Sequence, residues 1–170
     1  MAAARSSDVP PDSLEFHDPG GSRFGVWLSS AAVASILATC EQAGRRETGG
    51  ILIGRYDAEG WMAEVLEATP KPPGSRSGWW WFTRSNRGLA KLLAERWAEG
   101  LHYLGEWHYH PGGSANPSDT DVNTMLLIAE DGDYRCAQPI LVILGGAPTR
   151  VWDLSASVFP SGRRVPLVRS

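Results

Sequence analysis

Between Gly105 and Asp121 the chain sets two imidazoles, a hydroxyl and a carboxylate at spacings that suit hydrolysis by a bound metal ion. The first segment reads Gly105-Glu-Trp-His-Tyr-His-Pro111, with His108 and His110 separated by one residue. The second reads Pro117-Ser-Asp-Thr-Asp121, with Ser118 and Asp121 separated by two. A further carboxylate, Glu47, opens Glu-Thr-Gly-Gly-Ile-Leu-Ile-Gly54. The whole chain holds 4 histidines, so a pair inside one tripeptide is not background.

The chemistry follows from geometry that the spacing implies. Alternate residues of a strand point to the same face, so His108 and His110 at a strand end aim both rings into one space. Pro111 ends that strand, and Gly112-Gly113 lets the backbone fold back. Ser118 then opens a helix, and Asp121 in its first turn can reach the two rings. Two His and one Asp are three protein ligands, the number a catalytic zinc takes while leaving one position for water. Zinc brings the pKa of bound water to about 7, and a carboxylate beside it can take the proton and pass it to a leaving amine. Glu47 is the candidate for that acid/base role, because it begins a segment expected to pair with the histidine strand. Ser118 is the candidate donor to the developing oxyanion.

Each residue also has a plainer reading. Ser-x-x-Asp ahead of an apolar helix is a capping box in its own right. His-x-His alone is commonly incidental, and Glu47 alone is an ordinary solvated charge. The three together, in this order, favour a metal site. Other histidine motifs fail on inspection. A metallo-β-lactamase pattern needs Asp-His where Pro111-Gly112 stands. A cupin needs a Glu that Pro111 to Ser118 lacks, and a zincin needs His-Glu-x-x-His, which is absent.

The elements that must carry these groups alternate along the chain. Residues 1–13 read as a flexible N-terminal tail and 14–170 as one domain. Strands are expected at Leu14–Asp18, Phe24–Leu28, Glu47–Gly54, Trp61–Ala68, Trp79–Phe82, Leu101–His108, Pro139–Leu144, Arg150–Leu154 and Ser157–Phe159. Helices are expected from Ser29 or Ser30 to Ala43, from Asn86 to Ala98, and from Ser118 to Glu130. Their apolar stripes are Val33, Ile36 and Leu37, then Leu89, Leu92, Leu93 and Trp97, then Val122, Met125, Leu126 and Ala129. Consecutive apolar residues at Ile51-Leu52-Ile53 imply a strand covered on both faces. This intermixing gives the class α/β or α+β, a mixed sheet flanked by helices. Trp107 alternates away from the histidine face and reads as packing. His102 shares the parity of His108 but lies too far along the strand, and His17 is incidental. Pro70 to Gly78 and the Trp79-Trp80-Trp81 run are candidates for contacting a substrate protein, with core burial the stronger reading of the tryptophans.

Composition narrows the class. A net charge of -3 leaves no electrostatic footprint for nucleic acid. Cys40 and Cys136 lack metal-pair spacing and sit among apolar neighbours, so they read as buried thiols in a reducing compartment. No stretch is long and apolar enough for a membrane span and no signal peptide is evident, so a cytoplasmic location is expected.

With Glu47, His108, His110, Pro111, Ser118 and Asp121 in place, the chain resembles the JAB/MPN domain with an intact JAMM motif. The flanks, Glu-Thr-Gly-Gly-Ile-Leu-Ile-Gly and Gly-Glu-Trp-His-Tyr-His-Pro, are similar to bacterial members especially, over roughly Phe24 to Leu154. The resemblance implies a cytidine-deaminase-like fold and one catalytic zinc on His108, His110 and Asp121. It implies Glu47 as acid/base and Ser118 as the group steadying the tetrahedral intermediate. It also implies isopeptidase or peptidase activity after the tail of a bacterial ubiquitin-like protein, by precursor processing or deconjugation. Partners are then that protein, its conjugates, and activating and conjugating enzymes of the same operon, in an antiphage setting. Two alternatives stay open: a peptidase acting on a sulfur-carrier protein or its amino-acid adduct, and a non-enzymatic JAB binding module.

Overall fold

The computed structural model describes residues 12–70 and 87–170. The expected strand at Trp79–Phe82, with its tryptophan run, and all of the Pro70 to Gly78 loop except Pro70 lie outside the described residues. Eight strands and three α-helices are seen among the rest. They are β1 (Leu14–His17), β2 (Gly25–Leu28), α1 (Ser30–Ala43), β3 (Thr48–Tyr56), β4 (Met62–Ala68), α2 (Arg87–Ala98), β5 (His102–Pro111), α3 (Asp119–Glu130), β6 (Ile140–Gly146), β7 (Trp152–Val158) and β8 (Val165–Arg169).

The protein is α+β, with a mixed sheet and helices against it. The strand order is β1-β2-β4-β3-β5-β6-β7-β8, and β1 pairs with β8 to close the ring. Parallel pairs are β2 with β4 and β5 with β6; the others are antiparallel. Closure was not anticipated, because β8 contains Pro166 and reads weakly as a strand. It holds by alternation: Val165 and Leu167 point inward. The two short strands expected at Arg150–Leu154 and Ser157–Phe159 are one strand, β7, which pairs with β6 without a break.

Two apolar layers explain the continuous apolar runs in the central strands. In β6, Ile140, Val142 and Leu144 join the layer that holds α1, while Leu141 and Ile143 join the layer under α2 and α3. In β3, Leu52 faces the first layer and Ile51 and Ile53 the second. Helix α1 is capped by the Ser29 hydroxyl, which accepts from the Ala32 N–H at 3.1 Å. Gly44 closes its other end. Ala32, Val33, Ile36 and Cys40 form its buried face, with Leu37 only partly buried.

Two apolar stripes are rotated from expectation. Trp97 of α2 is 56% exposed, and its ring packs edge-on against His102 at 4.6 Å. In α3 the fully buried positions are Asp121, Met125 and Ile128; Val122, Leu126 and Ala129 only flank them. The helix therefore turns a carboxylate toward the sheet on the same stripe as its core residues.

A bulge in β5 decides which side chains share the site face. Leu52 pairs with Gly105 but Ile53 pairs with Tyr103, so Leu104 is an extra residue. Parity inverts across it. Tyr103 lies in the α2/α3 layer, whereas Leu104, Trp107 and Tyr109 lie in the α1 layer. Glu106, His108 and His110 therefore share a face with Tyr103, not with His102 as uninterrupted alternation requires.

Candidate metal centre

The site forms where β5 ends and α3 begins. His108 is 3% exposed and Asp121 1% exposed. His108 Nδ1 lies 2.9 Å from Asp121 Oδ1. His110 Nε2 lies 3.5 Å from Asp121 Oδ2. The strand supplies both rings by alternation, and the helix supplies the carboxylate from its buried stripe. Ser118 completes a full capping box. Its hydroxyl accepts from the Asp121 N–H at 3.1 Å, and its own N–H donates to Asp121 Oδ2 at 2.6 Å.

The chain packs closely around these groups. Gly49 pairs with His108 across β3 and β5, and a Cβ there would meet the Trp107 carbonyl and the His108 ring. Gly145 pairs with His110, and a Cβ there would run into the backbone of Ser114 and Ala115. That absence of side chain lets the loop after Pro111 lie down over β6 and bring Ser118 back toward the histidines. Trp107, on the opposite face, is fully buried, and its ring N–H donates to the Thr69 carbonyl at 2.8 Å.

Burial and hydrogen bonding set the charge states. Burial alone raises the Asp121 carboxyl, but hydrogen bonds from His108 and from Ser118 outweigh it and hold it at about 2. Burial pushes His108 below the usual imidazole range, against the pull of Asp121. An ionised carboxylate and a neutral imidazole are the forms that bind metals.

The tautomer of His110 is fixed by its surroundings. Its Nδ1 faces the Ser114 carbonyl at 3.2 Å, so that nitrogen carries the proton and donates. In the neutral ring Nε2 then presents a lone pair toward Asp121 Oδ2. Two lone pairs facing each other at 3.5 Å are an arrangement that a cation joins. Ligands with bonds of 2.0–2.1 Å in a tetrahedron sit about 3.3 Å apart. The ionic neighbours of Asp121 among the described residues are the two imidazoles. By donor type, by the charge states of His108 and Asp121, and by the two separations on Asp121, His108, His110 and Asp121 suit a divalent metal ion. The donors meet in pairs on Asp121; among the described residues no three His, Cys, Asp or Glu side chains are gathered as a complete ion site.

Glu47 sits one residue before β3, not within it as expected, and is exposed. The pairing of β3 with β5 is as expected: Thr48 lies opposite Tyr109 and Gly49 opposite His108. Continuing that register by one residue sets Glu47 opposite His110. The turn before it is tied down, since the Tyr109 hydroxyl lies 3.1 Å from the Gly44 carbonyl and 3.3 Å from that of Gly146. The Glu47 carboxylate makes no hydrogen bond with the described residues. His102 packs on Trp97, and His17 Nδ1 lies 3.0 Å from Ser170 Oγ; neither approaches the site. Cys40 and Cys136 are buried free thiols, and burial raises both, Cys40 to about 12 and Cys136 to about 11. One residue of the site face was not singled out from the sequence. Glu106 is 0% exposed, and its Oε2 lies 3.4 Å from His108 Nε2. The signal was present: a carboxylate two residues before His108 in a strand that is otherwise core.

Residues 29–155 match the family described as prokaryotic homologs of the JAB domain, and the chain belongs to that family. Among curated proteins it is similar to one from Enterobacter hormaechei subsp. hoffmannii (strain UCI 50), named CD-NTase/cGAS isopeptidase. The two are 43% identical over 162 residues, covering 95% of this chain and 89% of that protein. Among solved structures, that of a Desulfitobacterium hafniense protein in solution matches in fold at TM-score 0.56 and 20% identity, covering 84% of this chain and 88% of that one. A JAB1/MPN domain protein from Archaeoglobus fulgidus is more distant, at TM-score 0.44 and 17% identity over 81% of this chain and 91% of that one. No helix among the described residues is long and apolar enough to cross a membrane.

Proposed function

We propose that the protein is a zinc-dependent isopeptidase that cuts after an extended C-terminal tail. The observation that carries this reading is the convergence of two imidazoles on one buried, ionised carboxylate, at 2.9 Å and 3.5 Å. His108, His110 and Asp121 would hold the ion. Zinc bound there supplies a Lewis acid and water of lowered pKa.

The chain's own groups do the rest. Glu47, at the open end of the site, takes a proton from the attacking water and returns it to the departing lysine amine. Exposure suits that task, because the carboxylate must reach water first and leaving group second. Ser118 Oγ uses a lone pair to cap α3, which leaves its O–H proton free to donate to the oxyanion. Capping and catalysis are therefore compatible in one hydroxyl. The Ser114 carbonyl keeps His110 in the tautomer that offers Nε2.

On the acyl side of the bond we place the tail of a bacterial ubiquitin-like protein, released as a precursor extension or from a conjugate. The relative's name favours a second reading, in which a CD-NTase itself is one of the two joined proteins. Either setting is consistent with a role in antiphage defence, beside activating and conjugating enzymes. The test uses two reporter fusions, one carrying the tail of a ubiquitin-like protein from the neighbouring genes and one carrying a CD-NTase tail. At least one is expected to be cut at the junction. The cut should stop with 1,10-phenanthroline and resume on adding zinc. If neither fusion is cut, or cutting persists in the chelator, the reading fails.

A further inference from the structure

We propose that Glu106 is a positioning residue, whose buried carboxylate accepts the Nε2–H of His108 once Nδ1 gives up its hydrogen bond to Asp121 and binds the ion. The proposal rests on the reading of His108, His110 and Asp121 as metal donors.

Four observations support it. First, Glu106 is 0% exposed at the centre of the sheet. A carboxylate in such a place carries a desolvation cost, so its retention asks for a polar task. Second, it stands beside His108 on the same strand face, with Oε2 at 3.4 Å from Nε2. Third, the bulge at Leu104 brings Tyr103 onto that face, where its buried hydroxyl interacts electrostatically with Glu106. Tyr103 in turn packs against Tyr134, with ring centroids 5.4 Å apart. The carboxylate thus has a packed aromatic pair beside it.

The fourth is the proton count on the ring. A neutral imidazole has one N–H. If that proton lies on Nδ1 it is spent on Asp121, and Nε2 presents a lone pair to Glu106. For Nδ1 to act as a donor atom the proton must lie on Nε2, and Glu106 is the acceptor that holds it there. Histidine ligands of metals generally pass their other N–H to a carboxylate or carbonyl in this way, which orients the ring and raises its basicity. In this site the Ser114 carbonyl does so for His110, and Glu106 for His108.

The test is zinc affinity, measured on the full chain by competition with a chromophoric chelator, with the urea unfolding midpoint as a fold control. E106Q is close to isosteric and keeps an acceptor oxygen but loses the charge. It is expected to bind zinc about 10-fold more weakly than wild type, and E106A closer to 100-fold. A folded E106Q with wild-type affinity overturns the proposal. Should both Glu106 variants fail to fold, Y103F carries the test. It keeps the ring and removes the buried hydroxyl beside Glu106, so weaker zinc binding is expected and unchanged affinity overturns the proposal. The two levels separate cleanly. Wild type that binds no zinc removes the metal-site reading itself, and wild type that binds zinc as tightly as E106Q removes only the role of Glu106.

Discussion

Glu47→Ala is expected to lose about 100- to 10,000-fold in cleavage rate, the range for removing a general acid/base, with no change in fold. The separation of the two effects is what makes the variant informative. Glu47 is exposed and makes no hydrogen bond or ion pair with the described residues. Substitution at such a position shifts stability by no more than about 0.5 kcal/mol. It is not one of the proposed zinc donors, so the metal content should also stay as in wild type. Single-turnover cleavage of the tail fusion, read beside a thermal melt, checks both halves. A variant that cuts within 10-fold of wild type removes Glu47 from the mechanism.

Asp121→Ala is expected to fail in both respects. The carboxylate is the hub of the site, shared by His108, His110 and the Ser118 N–H. Its loss strips the N-terminus of α3 of half its capping box and leaves a buried ring and a backbone N–H without their acceptor. A cap is worth about 1 kcal/mol, and a buried polar group left without its acceptor costs about 1–3 kcal/mol. The total should be about 2–4 kcal/mol in urea unfolding, with cleavage below detection. Asp119→Ala is the matched control. Asp119 lies in the same first turn but is exposed, so its removal costs under about 1 kcal/mol through the helix dipole alone. If Asp121→Ala is as stable as Asp119→Ala, the capping and site interactions described for it are not what holds that end of the helix.

The proximity of the proposed metal donors was legible because the information that places them is local. His108 and His110 lie within one strand, and Asp121 follows one loop later in the first turn of a helix. Alternation, a proline stop and a helix-start signature suffice for such a segment. The approach of β3 to β5 was also anticipated, although nothing local demands it, because both segments read as buried strands. The features missed depend on details that pattern alone does not carry. The bulge at Leu104 inverts parity within β5, so counting by twos from His108 assigns the wrong face to His102 and Tyr103. In α3 the stripe was set by apolar residues, yet the position that shares it is Asp121, which hydrogen bonding allows to be buried. Trp97 was counted as core by its type and spacing, but an aromatic edge on His102 and the Arg135 guanidinium 5.8 Å above its ring hold it at the surface. Ring closure through β8 joins residues from opposite ends of the chain, a contact that no short window of sequence contains. Glu106 is hidden from pattern because no spacing rule marks a lone carboxylate inside a strand whose burial depends on contacts made elsewhere in the fold.

The assignment of His108, His110 and Asp121 as donors is tested most directly by elemental analysis of the purified protein after dialysis against metal-free buffer. Wild type should retain one zinc per chain, and H110A, which leaves the buried pair of His108 and Asp121 in place, should retain none while keeping the wild-type circular dichroism spectrum. Wild type that carries no zinc yet still cuts its tail fusion, or H110A that holds a full equivalent, contradicts the assignment.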